Sequence, residues 1–268
     1  MLALLTLENE FGQVSIMQIY KYLIVCPLLF VAGLIDAIGG GGGLISLPAF
    51  MLAGLPVHQA IGTNKCSSTC GTALTTWRFI KNKLVDIRMS IPCVIAALIG
   101  SSIGANLSLY AKESVIEKML IFVLPIVALI VLNRSLIPDT PRENVPTGMK
   151  LYVIVSVCSF FLGCYDGFYG PGTGTFAIIV FSIFAGLQME KANAQGKMVN
   201  LATNATSFAV FIINGQVDWA LGIAAAVFNM AGGYIGAGLA VSKGSKITRP
   251  VIILVLVIFI AKIVLENV

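Results

Sequence analysis

The chain has 268 residues, 57% of them hydrophobic and only 11% charged, with a formal net charge of +5 and a mean hydropathy of +0.94. A soluble domain carries roughly a quarter charged residues, and here the apolar residues fall in stretches of about 20, the length that crosses a bilayer core. Composition therefore excludes an ordinary soluble enzyme or a nucleic-acid-binding domain. It points to an all-α integral membrane protein, multi-pass, with the lipid bilayer as a partner; the plasma or inner membrane is the expected location.

The opening stretch, MLALLTLENEFGQV, has too short an apolar run and too much acid for a signal peptide. The first predicted span, 16–38, would itself direct insertion. It runs into GLIDAIGGGGG (33–43), where five consecutive glycines interrupt the helix before a short apolar piece at 44–54. Spans at 60–81, 87–110 and 115–133 follow. The longest polar stretch, Asn133 to Lys150, reads as a linker at 134–150. A span at 151–168 then meets a second break, GCYDGFYGPGT (163–173), with a short piece at 175–186 and further spans at 192–213, 217–241 and 247–265. About eight transmembrane segments are expected. All six cysteines lie in apolar segments, so no secreted disulfide framework is expected.

The chain repeats itself. Asp36 aligns with Asp166, Gly40 with Gly170 and Gly42 with Gly172; after a two-residue slip, Gly54 meets Gly186, Lys65 meets Lys197 and Asp86 meets Asp218. GSSIGANL (100–107) then meets GGYIGAGL (232–239). These matches divide the chain into two homologous halves, 1–133 and 151–268, each with a glycine-broken helix, as is common in secondary transporters. A four-span unit would make the halves parallel, whereas three crossings plus a re-entrant hairpin would invert them. Loop charge leans toward inversion. Turn 81–88 carries Lys81, Lys83 and Arg88, while its counterpart 214–217 carries no basic residue.

A broken helix exposes unpaired N–H groups at the start of its second piece, where anions settle and glycine allows close approach. The candidate anion site is therefore built from Gly39, Gly40, Gly41, Gly42 and Gly43 in the first half and from Gly170, Gly172, Thr173, Gly174 and Thr175 in the second. Close helix packing without a ligand is the bland alternative; two matched breaks favour the site. Lys65 and Lys197 each lie inside a span, where an unpaired lysine costs about 2.5–3.5 kcal/mol on insertion scales, so each needs a partner or a cavity. Thr63 and Asn64 precede Lys65, and Asn200 follows Lys197 at helical spacing. Asp36 and Asp166 stand three to four residues before the breaks. They have three roles open to them: pairing with the lysines, capping the broken helices, or taking up a proton during transport. They are the proton-coupling candidates.

Other chemistries find little support. Around Gly196–Lys197, Met198 stands where a phosphate-binding loop needs Ser or Thr, so no nucleotide is expected. His58 is the only histidine and no carboxylate cluster accompanies it, so neither a metal nor a cofactor is expected. Cys66 and Cys70 read as small apolar packing. The pairs Gly100/Gly104 and Gly232/Gly236 are small-residue motifs for close helix contact.

With these residues in place, the chain resembles the TauE/SafE family, also called the toluene sulfonate uptake permeases. The resemblance rests on GLIDAIGGGGGLISLPAFMLAGLPVHQAIGTNK in the first half and on YDGFYGPGTGTF followed by KANAQGKMVNLATN in the second. GFYGPGTGTF and SKGSKITRP (242–250) are similar to the bacterial branch known as probable membrane transporters. The resemblance implies a carrier of small anions, with sulfite, sulfoacetate and other organosulfur anions as the usual substrates. Gln195 stands where the first half has Thr63, which implies unequal contributions of the halves. The reading is a secondary transporter moving a sulfur oxyanion or organosulfonate by alternating access, proton-coupled, with no nucleotide and with a homo-oligomer open as a further partner. The rivals are a passive anion channel and, further off, an intramembrane enzyme.

Overall fold

The computed structural model describes residues 2–112 and 146–244, together with 115, 246, 247, 250 and 251. Nearly all of the predicted spans 115–133 and 247–265, and most of the 134–150 linker, lie outside the described residues. Those described form eight helices and no strand: α1 (Leu2–Gly39), α2 (Gly43–Leu52), α3 (Val57–Lys81), α4 (Ile87–Tyr110), α5 (Gly148–Phe168), α6 (Thr173–Phe184), α7 (Met189–Ile213) and α8 (Trp219–Lys243).

Local chemistry sets the ends of these helices. Gly40 (φ +76°) stops α1, and Gly170 (φ +100°), Pro171 and Gly172 (φ +85°) separate α5 from α6. Gly54 and Gly186, at equivalent places, end the two short helices in the same left-handed conformation. Asp86 caps α4 by accepting from the N–H groups of Arg88 and Met89, and Asp218 caps α8 by accepting from Leu221.

The segments Ile19–Gly39, Ile87–Tyr110, Gly148–Phe168 and Trp219–Lys243 are long and apolar enough to cross a membrane. Along α4 the exposed side is apolar (Ile91, Ile95, Ile99, Ile103), while its buried face is small or polar: Ala97, Gly100, Ser101, Gly104. This is the arrangement lipid demands, because bulk outside costs nothing there and close backbone approach inside gains dispersion energy. Helices α3 and α7 are as long, at 25 residues each, but more polar. They bury Asn64, Lys65 and Thr72, and Asn193, Lys197 and Asn204. They form the polar centre.

The two short helices turn back. The first break brings Gly42 against Ala32 and Asp36, and α2 then runs back beside α1, with Leu44 packed on Ile35. At the second break Tyr165 donates to the carbonyl of Pro171 at 2.6 Å and its ring packs edge-on against Phe176. Each break is thus the tip of a re-entrant hairpin.

Glycine contacts give the helix directions. Gly100 lies on Phe160 and Gly104 on Phe168, so α4 and α5 run parallel; Gly232 lies on Phe30 and Gly236 on Leu34 and Ala37, so α1 and α8 do too. Gly62 touches Gln216 and Gly71 touches Asn229, which makes α3 parallel to α8. Gln195 bonds to Ser90, and Ser101 to Ser207, which makes α7 parallel to α4. Lys65 reaches Asn204 while Thr76 reaches Lys197, so α3 and α7 are antiparallel. Helices α1, α3 and α8 therefore run one way, and α4, α5 and α7 the other. Equivalent helices of the two sequence repeats point in opposite directions, as the loop charges suggested. The repeats are also interlocked, since the first helix of each packs against the last described helix of the other.

Candidate functional site

The hairpin tips meet in the middle of the molecule. A Cβ on Gly40 would overlap the backbone of Gly174 and Thr175, so only glycine lets the two tips touch there. Thr175 Oγ1 donates to the carbonyl of Gly39 across this junction at 2.7 Å, and Asn193 donates to the carbonyls of Ala37 and Ile38. These bonds satisfy carbonyls at the end of α1 that the helix itself leaves unpaired.

Beside the junction the charged residues pair crosswise. Lys65 Nζ lies 2.7 Å from Asp166 Oδ2, and Lys197 Nζ lies 2.5 Å from Asp36 Oδ2. Each lysine belongs to one repeat and its aspartate to the other. An unpaired charge at this depth would cost several kcal/mol, so the pairs account for how two lysines stay inside the protein. Both lysines are 1% exposed. The pairs differ around their carboxylates. Asp166 is sealed at 3% side-chain exposure, and Lys65 has a second acceptor in Asn204 Oδ1 at 3.0 Å, with Asn204 in turn donating to Asn200. Asp36 is 23% exposed, and its other oxygen accepts from the Gly42 N–H at 3.4 Å.

A polar cavity of about 20 Å³ opens between these groups. It is lined by Asp36, Gly40, Gly43, Asn64, Lys65 and Ser68 on one side, and by Asp166, Gly170, Gly172, Gly174, Asn200 and Asn204 on the other. The starts of α2 and α6 border it through Gly43 and through Gly172 and Gly174, and the positive end of a helix dipole lies at each such start. Gly170 keeps the lysine end open, because a Cβ there would come within 2.9 Å of Lys65 Nζ.

Most of the expected residues come together here, and the rest are near it in other roles. Gly39 and Thr175 form the bond between the tips, Thr173 donates to Gly170 within its own turn, and Gly42 holds Asp36. Gly41 accepts from Leu44 at the start of α2. Lys197 stands behind Asp36. Thr63 is turned away: its hydroxyl accepts from the N–H of Asp218, and Gln195 in the equivalent place accepts from the N–H of Asp86. The Thr63/Gln195 difference therefore sits at matching helix caps outside the cavity. Two lining residues were not among the expected set, Ser68 and Asn204. Their signal was present as four-residue spacing from Asn64 and Asn200 on the same helix faces.

Comparison with known proteins follows the same direction. A family model described as "Sulfite exporter TauE/SafE" matches residues 25–263. The chain is 33% identical over 238 residues to a "Probable membrane transporter protein" of Haemophilus influenzae, covering 89% of this chain and 92% of that one. It is 33% identical over 248 residues to the "Probable membrane transporter protein YfcA" of Escherichia coli K12, covering 91% of each. Against the "Probable membrane transporter protein ORF9" of Sinorhizobium it is 32% identical over 226 residues, covering 84% of this chain and 85% of that one. No solved structure matches it.

Proposed function

Because the chain belongs to the sulfite exporter TauE/SafE family of membrane transporters, we propose that it is a secondary carrier of a small sulfur oxyanion or organosulfonate in the plasma or inner membrane. The observation that carries this reading is the meeting of two oppositely directed hairpin tips on one small polar cavity, beside a buried lysine from α3 and amides from both α3 and α7. Two helix N-termini and an ammonium suit the spread negative charge of a sulfonate or sulfite. The substrate-binding set is Gly40, Gly43, Asn64, Lys65, Gly170, Gly172, Gly174 and Asn200, with Ser68 and Asn204 added. The repeat boundaries at 133 and 151 belong to the same reading.

Antiparallel repeats around a central site are the arrangement that supports alternating access, since each half can rock open to the side its hairpin enters from. A channel would need a continuous wet path. Instead the tips touch at Gly40 and Gly174 and the cavity between them is small.

The test is an uptake panel in proteoliposomes with sulfite, sulfate, thiosulfate, sulfoacetate, methanesulfonate, taurine and small carboxylates under imposed pH gradients. A carrier accumulates its substrate against the gradient and loses that accumulation when a protonophore is added. Flux of every anion down its gradient alone, with no accumulation, would instead identify a channel.

A further inference from the structure

The charges at the site cancel. Asp36 and Asp166 face the cavity with Lys65 among them, and Lys197 closes on Asp36 from behind. The elements packed on α1 bring few other titratable groups near Asp36. Helices α2 and α6 carry none. On α8 there are only Tyr234, exposed beside Arg78, and Lys243, exposed at the helix end. Among the described residues, the groups that face Asp36 are therefore Lys197 from α7, Lys65 from α3 and Asp166 from α5. Two lysines meet two carboxylates, and both lysines are already engaged.

An anion entering this closed site would leave a net negative charge in a low-dielectric centre, with both ammonium groups held by other partners. That is unfavourable by the same desolvation that makes the pairs necessary. A proton arriving with the anion removes the conflict. Building on the anion-carrier reading, we propose that Asp36 is the proton site of the carrier, and that a monovalent anion is carried with one proton as an electroneutral load. The proton adds to a carboxylate oxygen of Asp36, the Lys197–Asp36 pair opens, and the Lys197 ammonium, still protonated, turns to the anion. The Gly42 N–H is released at the same step. Asp166 serves differently: sealed against Lys65, whose second acceptor is Asn204, it positions the Lys65 ammonium. The contrast is carried by geometry, since the two carboxylates both line the cavity but the Asp36 side chain is 23% exposed and that of Asp166 only 3%.

Methanesulfonate is the probe, because as a strong-acid anion it does not titrate itself. Purified full-length protein in weakly buffered detergent should take up one proton per methanesulfonate bound, read with a pH indicator. Its affinity should fall about tenfold for each unit of pH above the opening of the pair, as one linked proton requires. D36N should bind methanesulfonate with no proton uptake and a flat pH profile. In proteoliposomes D36N should exchange the anion across the membrane without accumulating it along a pH gradient. Wild-type binding with no proton uptake, coupling to sodium in place of pH, or retained pH-driven accumulation by D36N would each overturn the proposal. The wild-type measurement stands even if D36N does not fold. Wild-type protein that neither binds nor carries methanesulfonate would bring down the sulfonate reading itself, and with it the basis for assigning the proton.

Discussion

At the scale of single residues, Lys65 and two glycines make the sharpest predictions. Replacing Lys65 with Met strands Asp166 in a sealed site, and breaking one partner of such a pair costs about 3–5 kcal/mol. Replacing both partners, K65M with D166L, leaves no buried charge and should recover most of that stability. Neither variant should carry substrate. Thermal unfolding in detergent and flux in liposomes together separate these effects; transport by the doubly substituted protein would remove Lys65 from the site. Gly40 and Gly54 form a second comparison. Both have positive φ, but a Cβ on Gly40 would run into Gly174 whereas one on Gly54 would meet nothing within 4 Å. G54A should therefore cost only about 1–2 kcal/mol of left-handed strain. G40A should cost more and also abolish transport, because the tips must separate to admit the side chain. Equal melting shifts for the two variants would show that the tip contact is not tight.

At the scale of elements, hairpin geometry and helix packing follow from small residues. The parallel pairs α4/α5 and α1/α8 are built on backbone-to-backbone contacts at Gly100, Gly104, Gly232 and Gly236. In lipid no hydrophobic force drives helices together, so close van der Waals contact has to. G100L should split α4 from α5, and G232L should split α8 from α1. Because the contacts are equivalent in the two repeats, the two variants should lower the melting temperature by similar amounts. A tolerated G232L would mean that the α1/α8 packing is not what holds the repeats together. Sequence made much of this level legible. The glycine breaks, the short pieces after them and the matched positions of Asp86 and Asp218 could all be read from the sequence, whereas the capping role of those two aspartates came from the structure. The hairpin reversal could not, because a glycine break fits a continuing helix as well as a returning one. What decided it was the apolar packing of Leu44 on Ile35 and of Phe176 on Tyr165.

At the scale of the whole molecule, the opposed directions of α3 and α7 place the turn 82–86 and the turn 214–218 on opposite faces. The first carries Lys83 and is flanked by Lys81 and Arg88, while the second has no basic residue, so the positive-inside rule predicts the first on the cytoplasmic side. Single cysteines at K83C and N214C, in a background whose native cysteines are silent, should react with an impermeant reagent from opposite sides in oriented vesicles. Lys83 should be reached only from the cytoplasmic face. Labelling of both from one side would contradict the antiparallel arrangement of the repeats.

By itself the sequence determined that this is a helical membrane protein, and it pointed to a repeat and to a site built from the breaks and the buried lysines. Those features are local: length of apolar run, glycine in series, and a charge that cannot be left in lipid. Only the tertiary structure decided who pairs with whom. Sequence left Asp36 and Asp166 open between capping, pairing and proton uptake, and it kept Thr63 among the site residues. The folded chain crosses the pairs, Lys65 to Asp166 and Lys197 to Asp36, and turns Thr63 away to the Asp218 cap. The reason is physical. A buried charge fixes the need for a counter-charge but not its address, and that address depends on which helices the small-residue faces bring together.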